Sequence, residues 1–475
     1  MWLVAAFAMA WLVARAAHQS VTIDEADGYL GYVAPDWPSH WYPSNGNHIL
    51  NSVIVRLLTW LFGLSHLTLR GAALLGAAVY IFAAYRLCKM IAGESRLALP
   101  LFACFVFNPF VMDHLVAARG YSLALAFLTL GFYILSRQLT AEPDSELYSA
   151  CHLASVCVAL SFNANFSFAY ADGACIAVFL LWACWRRDWR IWLKVGGACV
   201  IPALVVTAFI SGSVLWNWPK GQFVFGAHSV REAWSSVVTS SFYELNQALV
   251  NPLMEMLLQR SRRWLPILAI VILVAEAAFL SARKFQVKEK RIVLQGGYAL
   301  AVLLLALSLH WLQFRVFKIL LPMDRTALFV VPLSLVAFGS LTALSPKVLR
   351  GFAIALLCVT AVYFMGCLRL LYFKEWRYDA DVRTAYATVR TLNREQGIRR
   401  FASDWKYSAS LNFYRRYFHD ETAIDEVQNF DSGHPFGPGQ GAYVLDLPDA
   451  GAFVQEQKLK QVYRGSLSDL VVAAP

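Results

Sequence analysis

Apolar segments of roughly bilayer-crossing length recur along most of the chain, and spanning a hydrocarbon core takes a helix of about 20 such residues. No water is available inside a bilayer, so backbone N–H and C=O groups must pair within each segment; repeated segments of this kind fold as a helix bundle. They are placed at about Trp2 to Ala17, Leu69 to Ile91, Leu97 to Met112, Tyr121 to Leu135, Tyr148 to Phe166, Phe168 to Trp185, Leu193 to Ile210, Leu265 to Leu280, Ile292 to Leu309, Ala327 to Leu344 and Phe352 to Leu371. That makes about eleven spans, a polytopic α-helical membrane protein. A composition of 58% hydrophobic and 15% charged residues over 475 positions agrees with this class. Trp2 to Ala17 is short for a span, and Ala14-Arg-Ala-Ala17 loosely resembles a signal-peptide cleavage site, but the charged stretch that opens a signal peptide is missing.

The net charge of +10 arises from short basic clusters between apolar runs, as the positive-inside bias produces, and gives no reason to expect a nucleic-acid partner. With the N-terminus in the cytoplasm, the inner loops hold Arg86, Lys89 and Arg96; Arg186, Arg187 and Arg190; Arg283, Lys284, Lys288, Lys290 and Arg291; and Lys347 and Arg350. Loops 18–68 and 211–263 then lie outside, as does the tail, although Arg260, Arg262 and Arg263 form an outer basic cluster against the trend. Residues 1–373 read as the membrane domain and 374–475 as a small extracytoplasmic α/β domain. The latter has helical periodicity from Asp379 to Glu395 and from Tyr407 to Tyr417, and strands near Arg400 to Ser403, Ala442 to Leu445, Gln461 to Tyr463 and Leu470 to Val472. A Gly- and Pro-rich turn region, Gly433 to Gly441, divides it. Asn47 to Phe62 has the spacing of a helix lying along the membrane surface, and Val230 to Leu258 that of an amphipathic stretch able to gate a lipid entrance. The nine cysteines sit within or beside apolar runs with no Cys-x-x-Cys spacing, which indicates neither a disulfide framework nor a zinc site.

Three polar stretches fall on the outer side. Asp24, Glu25 and Asp27 follow the first apolar segment; a carboxylate cluster at the lip of a bilayer is costly unless it pairs, binds a cation or does chemistry. On the plainer reading Asp24 and Glu25 cap and solvate the start of a loop helix, with Thr22 helping. Asp113 and His114 precede Arg119-Gly120-Tyr121. Asp113 could join Asp24 and Glu25 around a divalent cation, for which oxygen ligands suit magnesium, manganese or calcium. His114 reads equally as a hydrogen-bonded interface residue and Arg119 as an anchor snorkelling to the interface. In the third stretch Arg315, Lys318 and Arg325 could hold a phosphate or diphosphate headgroup, or Arg325 could pair locally with Asp324.

Taken together these stretches resemble the C-type glycosyltransferase superfamily, in the branch of the protein O-mannosyltransferases and the lipid A aminoarabinose transferases. The resemblance is carried by Asp24-Glu25; by Asn47-His48-Ile49-Leu50 with Leu61-Phe62-Gly63 and Leu69-Arg70; by Ala118-Arg119-Gly120-Tyr121; and by Pro322 to Arg325 before Pro332. It covers roughly the whole membrane part. Many relatives have His-Pro-Pro-Leu where this chain has Asn47-His48-Ile49-Leu50. The resemblance implies a multi-pass enzyme of a bacterial inner membrane, working on the periplasmic side among membrane lipids. It would move a sugar from a polyprenyl-phosphate donor to a lipid, glycan or protein acceptor, by inversion. Asp24 would be the general base and Glu25 its orienting partner or a metal ligand. His48, Arg119, Tyr121, Lys318 and Arg325 would bind substrate, and Asp24, Glu25 and Asp113 would hold any divalent cation. A transporter of lipid-linked sugars would instead need ionisable groups inside the spans, where only Asp172 and Glu276 fall; a scaffold would leave the Asp24 loop without a role.

Overall fold

The computed structural model describes residues 1–36, 39, 41–140, 145–186, 188–219, 225–281, 286–430, 436 and 441–475. Trp37, Arg187, Arg283, Lys284 and most of the expected turn region from Gly433 lie outside the described residues. Two compact units emerge. The first takes Met1–Leu12, Pro43–Asn51 and Ala72–Leu368, and the second Val13–Tyr42, Ser52–Gly71 and Arg369–Pro475.

The first unit is helical, and it makes the chain a multi-pass membrane protein. Among the described residues eight helices are long and apolar enough to cross a bilayer: Gly71–Ala92, Glu146–Ala164, Phe166–Arg186, Trp189–Trp216, Pro252–Ser281, Glu289–Phe317, Asp324–Leu344 and Lys347–Gly366. Three of the expected spans are shorter or more polar. Trp2–His18 has 17 residues, Tyr121–Gln138 closes on Arg137 and Gln138, and the expected span Leu97 to Met112 breaks in two. Pro109 has no N–H to continue a helix and biases Asn108 out of the helical region. The chain accordingly ends one helix at Phe107 and starts another at Pro109, and the Asn108 side chain accepts from the Phe110 and Val111 amides at 3.0 and 3.3 Å. The expected outer stretch 211–263 is likewise divided: Trp189–Trp216 reaches into it, Val230–Ser241 is a separate helix, and Pro252–Ser281 begins inside it.

The second unit holds a five-stranded sheet: β1 (Phe401–Ser403), β2 (Gln428–Asn429), β3 (Ala442–Asp446), β4 (Lys460–Arg464) and β5 (Leu470–Ala474), in the spatial order β2-β1-β3-β5-β4. β1 runs parallel to β2 and β3, and β5 runs antiparallel to β3 and β4. Strand side chains alternate between faces. Ala402, Tyr443, Leu445, Val471 and Ala473 point to one face and pack with Phe436 and with Val454 of the Leu447–Glu456 helix. Phe401, Val444 and Val472 are left for the other. The Val382–Gln396 helix, which packs on β4 and β5, buries Val382, Ala385, Tyr386, Val389 and Leu392 along one stripe. It stops at Gly397, whose left-handed conformation (φ +69°) places its amide on the Asn393 carbonyl.

This unit is larger than the expected domain 374–475, because backbone from the loop after the first helix is bonded into it. Gln19 Nε2 donates to the Tyr372 carbonyl, Ser20 Oγ to the Ala380 carbonyl, the Val21 amide to the Tyr414 hydroxyl and the Ile23 amide to Asp379, at 2.7–3.0 Å.

Candidate functional site

In the second unit the short helix Ile23–Gly28 carries Asp24 and Glu25. Thr22 is its N-cap: Thr22 Oγ1 accepts from the Glu25 amide at 3.2 Å, and Glu25 Oε2 accepts from the Thr22 amide at 3.0 Å, the reciprocal capping box that Thr-x-x-Glu encodes. Glu25 is further held by Arg70, whose Nε reaches Oε1 at 2.9 Å and Nη2 reaches Oε2 at 2.7 Å, with neither side chain exposed. Arg70 also donates to the carbonyls of Ala16, Gln19 and Ser20, so every N–H of its guanidinium has an acceptor.

That arrangement corrects the expectation for Glu25. Its two oxygens are committed to a bidentate ion pair and a helix cap, which makes it a structural anchor and leaves it unsuited to ligating a cation. Asp113 belongs to the other unit, and among the described residues no group of three or more His, Cys, Asp or Glu side chains is gathered as metal ligands. Asp24 is half-buried on the same helix turn and Asp27 is exposed.

Two residues beside Asp24 escaped the sequence reading. Asp379, fully buried, accepts from the Ile23 amide at 2.9 Å. Burial pushes its carboxyl well above the usual range; the negative charges of Asp24 and Glu25 add to this, while the Ile23 amide and the Ser410 hydroxyl oppose it. His66 is buried against the Tyr414 and Tyr417 rings. Burial first, and then the charges of Arg70 and Arg383, lower it to about 3, so it is neutral at physiological pH. Asp379 reads in sequence as one more residue at the start of a helix, and Arg70 enters only within the Leu69-Arg70 stretch of the resemblance, with no role given to it.

In the first unit the structure gathers most of the expected substrate-binding residues. His48, with 9% of its surface exposed, faces the Tyr121 ring at 5.6 Å, and His114 faces the same ring at 5.2 Å. Arg119, buried, donates through Nη1 to the Gly46 carbonyl at 3.2 Å, and Asn51 Nδ2 donates to the Ala118 carbonyl at 3.3 Å. Burial holds His48 well below its ordinary pKa; the charges of Arg119 and Arg325 reinforce this, and a hydrogen bond to the Ala164 carbonyl partly offsets it. Its Nε2 has no hydrogen-bond partner among the described residues. A neutral imidazole between two cations can orient a ligand without adding charge.

Gly120 makes this packing possible. It is left-handed (φ +74°), and a Cβ there would lie 2.2 Å from the Ala164 carbonyl oxygen and 3.0 Å from the His48 Cβ. Arg325, half-buried, places its guanidinium 4.8 Å from the centre of the Phe225 ring. Asp324 beside it accepts from Ser240 Oγ at 2.9 Å, and its amide donates to Ser236 Oγ at 2.9 Å. The Val230–Ser241 helix thus packs against both the Asp324–Ala327 turn and the Pro109–His114 helix that carries buried Asp113. Lys318 is exposed at the end of the Val287–Phe317 helix, with φ +59°, and enters none of these contacts.

The sequence matches no family model and no curated protein. Among solved structures the chain is similar to ArnT from Cupriavidus metallidurans in the apo state, at 14% identity over 99% of this chain and 97% of that one, with a TM-score of 0.46. The same protein bound to undecaprenyl phosphate gives 14% identity, the same coverage and a TM-score of 0.44. The arabinofuranosyltransferase AftD from Mycobacteria is similar at 15% identity over 84% of this chain and 30% of its own length, with a TM-score of 0.42.

Proposed function

We propose that this chain is a membrane glycosyltransferase that moves a sugar from a polyprenyl-phosphate donor to a hydroxyl or phosphate acceptor on a lipid, glycan or protein, by inversion at the anomeric carbon. The observation that carries the reading is the way Asp24 is held. Its helix turn is pinned by the Thr22–Glu25 capping box, the Arg70–Glu25 ion pair and the Asp379–Ile23 bond, yet Asp24 itself stays half-exposed. So much buried polar structure around the Asp24 turn is the support a positioned base needs.

In this reading Asp24 takes the acceptor proton as the acceptor oxygen attacks the anomeric carbon. Glu25, through Arg70, and Asp379 position the helix turn. Arg325 and Arg119 receive the polyprenyl phosphate, on which charge builds as it departs; Arg325 suits the task because its planar fork can bind two phosphate oxygens at once. His48 and Tyr121 line the approach to those cations, and Lys318 attracts the headgroup from the exposed side. The donor-facing groups lie on the outer, periplasmic side of a bacterial inner membrane.

The test is Asp24→Asn. Purified in detergent and supplied with a polyprenyl-phosphate pentose or hexose and an envelope extract as acceptor, the variant is expected to fold like the wild type and to transfer essentially no sugar. Asp24 stands in the first turn of a helix capped by Thr22, where losing its charge costs at most about 1 kcal/mol, so a purely structural Asp24 predicts near wild-type turnover, and that result would remove the catalytic assignment. Passage of the lipid-linked sugar across proteoliposomes without transfer to any acceptor would favour the transporter reading instead.

A further inference from the structure

The sheet of the second unit has a feature that the proposed reaction does not use. From β1 the chain runs through the Trp405–Tyr417 helix to β2 on one side; from β3, on the other side of β1, it runs through the Leu447–Glu456 helix to β4 and β5 beyond. Adjacent parallel strands whose connections depart in opposite directions leave their carboxyl ends open between them, which is where ligands bind in open α/β sheets. Here Asp404 follows β1, Asp446 ends β3, and Asp469 stands just before β5, which pairs antiparallel with β3 and so starts at the same edge.

The side chains at this edge are not used as helix caps. Asp404 and Asp446 occupy the N-cap positions of their helices, but neither caps its own helix through its side chain. Asp404 accepts from the Asp446 amide, and Asp446 pairs with Lys406. An independent sign of a ligand lies one helical turn in. Tyr407 is 0% exposed and its hydroxyl has no hydrogen-bond partner among the described residues, and the same holds for the Ser403 hydroxyl at the end of β1. The Tyr407 amide donates to the Asp404 carbonyl at 2.9 Å, which sets the residue in the first turn of that helix, beside the edge. Buried hydroxyls left unmade are unfavourable and uncommon. Trp405, the first residue of that helix, stands 64% exposed, a large ring that gains nothing from water.

We propose that this edge is a saccharide-binding site: the Trp405 ring stacks on the apolar face of a sugar, Asp404 and the Lys406–Asp446 pair engage its hydroxyls, and the Tyr407 and Ser403 hydroxyls form its floor. The chemistry favours a polyol over an anion, because three carboxylates face one ammonium group.

The full chain, labelled with 5-fluorotryptophan and held in detergent, would be titrated with maltotriose, cellotriose and chitotriose, with the Trp405 fluorine resonance identified by its loss in Trp405→Phe. At least one trisaccharide is expected to shift that resonance saturably while leaving Trp234, exposed in the other unit, unmoved. Tyr407→Phe removes a hydroxyl with no hydrogen-bond partner among the described residues, so it should melt like the wild type yet bind about tenfold more weakly. No saturable shift with any of the three, equal binding by Tyr407→Phe, or a shift produced by calcium and reversed by EDTA would each overturn the proposal. Binding is read here without any sugar transfer, so its outcome is independent of the Asp24 assignment.

Discussion

Glu25 and Arg70 form the one fully buried bidentate ion pair among the described residues that anchors the Asp24 turn, and a pair of that kind is worth most when one member is taken away. Glu25→Gln leaves the Arg70 guanidinium buried with half of its carboxylate lost, at a cost of about 3–5 kcal/mol; a fall in thermal midpoint well beyond that of Asp24→Asn is the expected reading. An unchanged midpoint would mean that the pair is not closed in solution. His66 makes a prediction of the opposite kind. Its pKa in the folded chain, about 3, lies below the ordinary histidine value of about 6.5, so the unfolded chain binds the extra proton between those values. Stability is therefore full above about pH 6.5 and falls as pH drops toward 3, on the order of 1 kcal/mol per pH unit from this group. His66→Phe should flatten that acid limb in a denaturation series from pH 7 to 4. Raised Asp379 works with the reverse sign, since the folded chain keeps a proton that the unfolded one loses, so the two variants are distinguishable by slope.

At the scale of elements, turns decide more than helices do. The Ala118-Arg119-Gly120-Tyr121 turn is where a span meets the cluster around His48, and Gly120 carries it. Gly120→Ala adds both left-handed strain and a contact of 2.2 Å with a carbonyl oxygen. Gly63 has a similar φ, +76°, with nothing within 4 Å of a built Cβ. Gly63→Ala should thus cost about 1 kcal/mol of strain alone, and Gly120→Ala several kcal/mol more. The difference between their melting shifts isolates the collision with Ala164, and equal shifts would exclude it. The Asn108-Pro109 break follows the same logic. Pro109 is visible in the sequence, but an apolar window read for length alone passes over it, and the expected span Leu97 to Met112 is two helices for that reason.

For the whole molecule, the basic clusters predict sidedness. Reporter fusions after Lys288 and after Asp425 in intact cells should report opposite sides of the membrane, the first cytoplasmic and the second external; the same side for both would undo the proposed orientation. Much of the architecture is local in origin and was legible from the chain. Apolar length placed the long helices, although Pro252–Ser281 starts 13 residues before the expected Leu265 and Glu289–Phe317 runs eight past the expected Leu309, and periodicity outlined the Val382–Gln396 and Trp405–Tyr417 helices and four of the five strands. Thr22-x-x-Glu25 encoded its capping box within four positions. What depended on partners distant in sequence was decided only in three dimensions. Glu25 meets Arg70 across 45 residues and Ile23 meets Asp379 across 356, and neither separation leaves a periodicity or spacing to read. The unit boundaries moved for the same reason, since a loop's unmade backbone groups find their acceptors wherever burial brings them. Length and pattern determined that this chain is a helical membrane protein with an α/β tail. Only the tertiary structure determined that Glu25 is an anchor, with the half-exposed Asp24 as the carboxylate it holds in place.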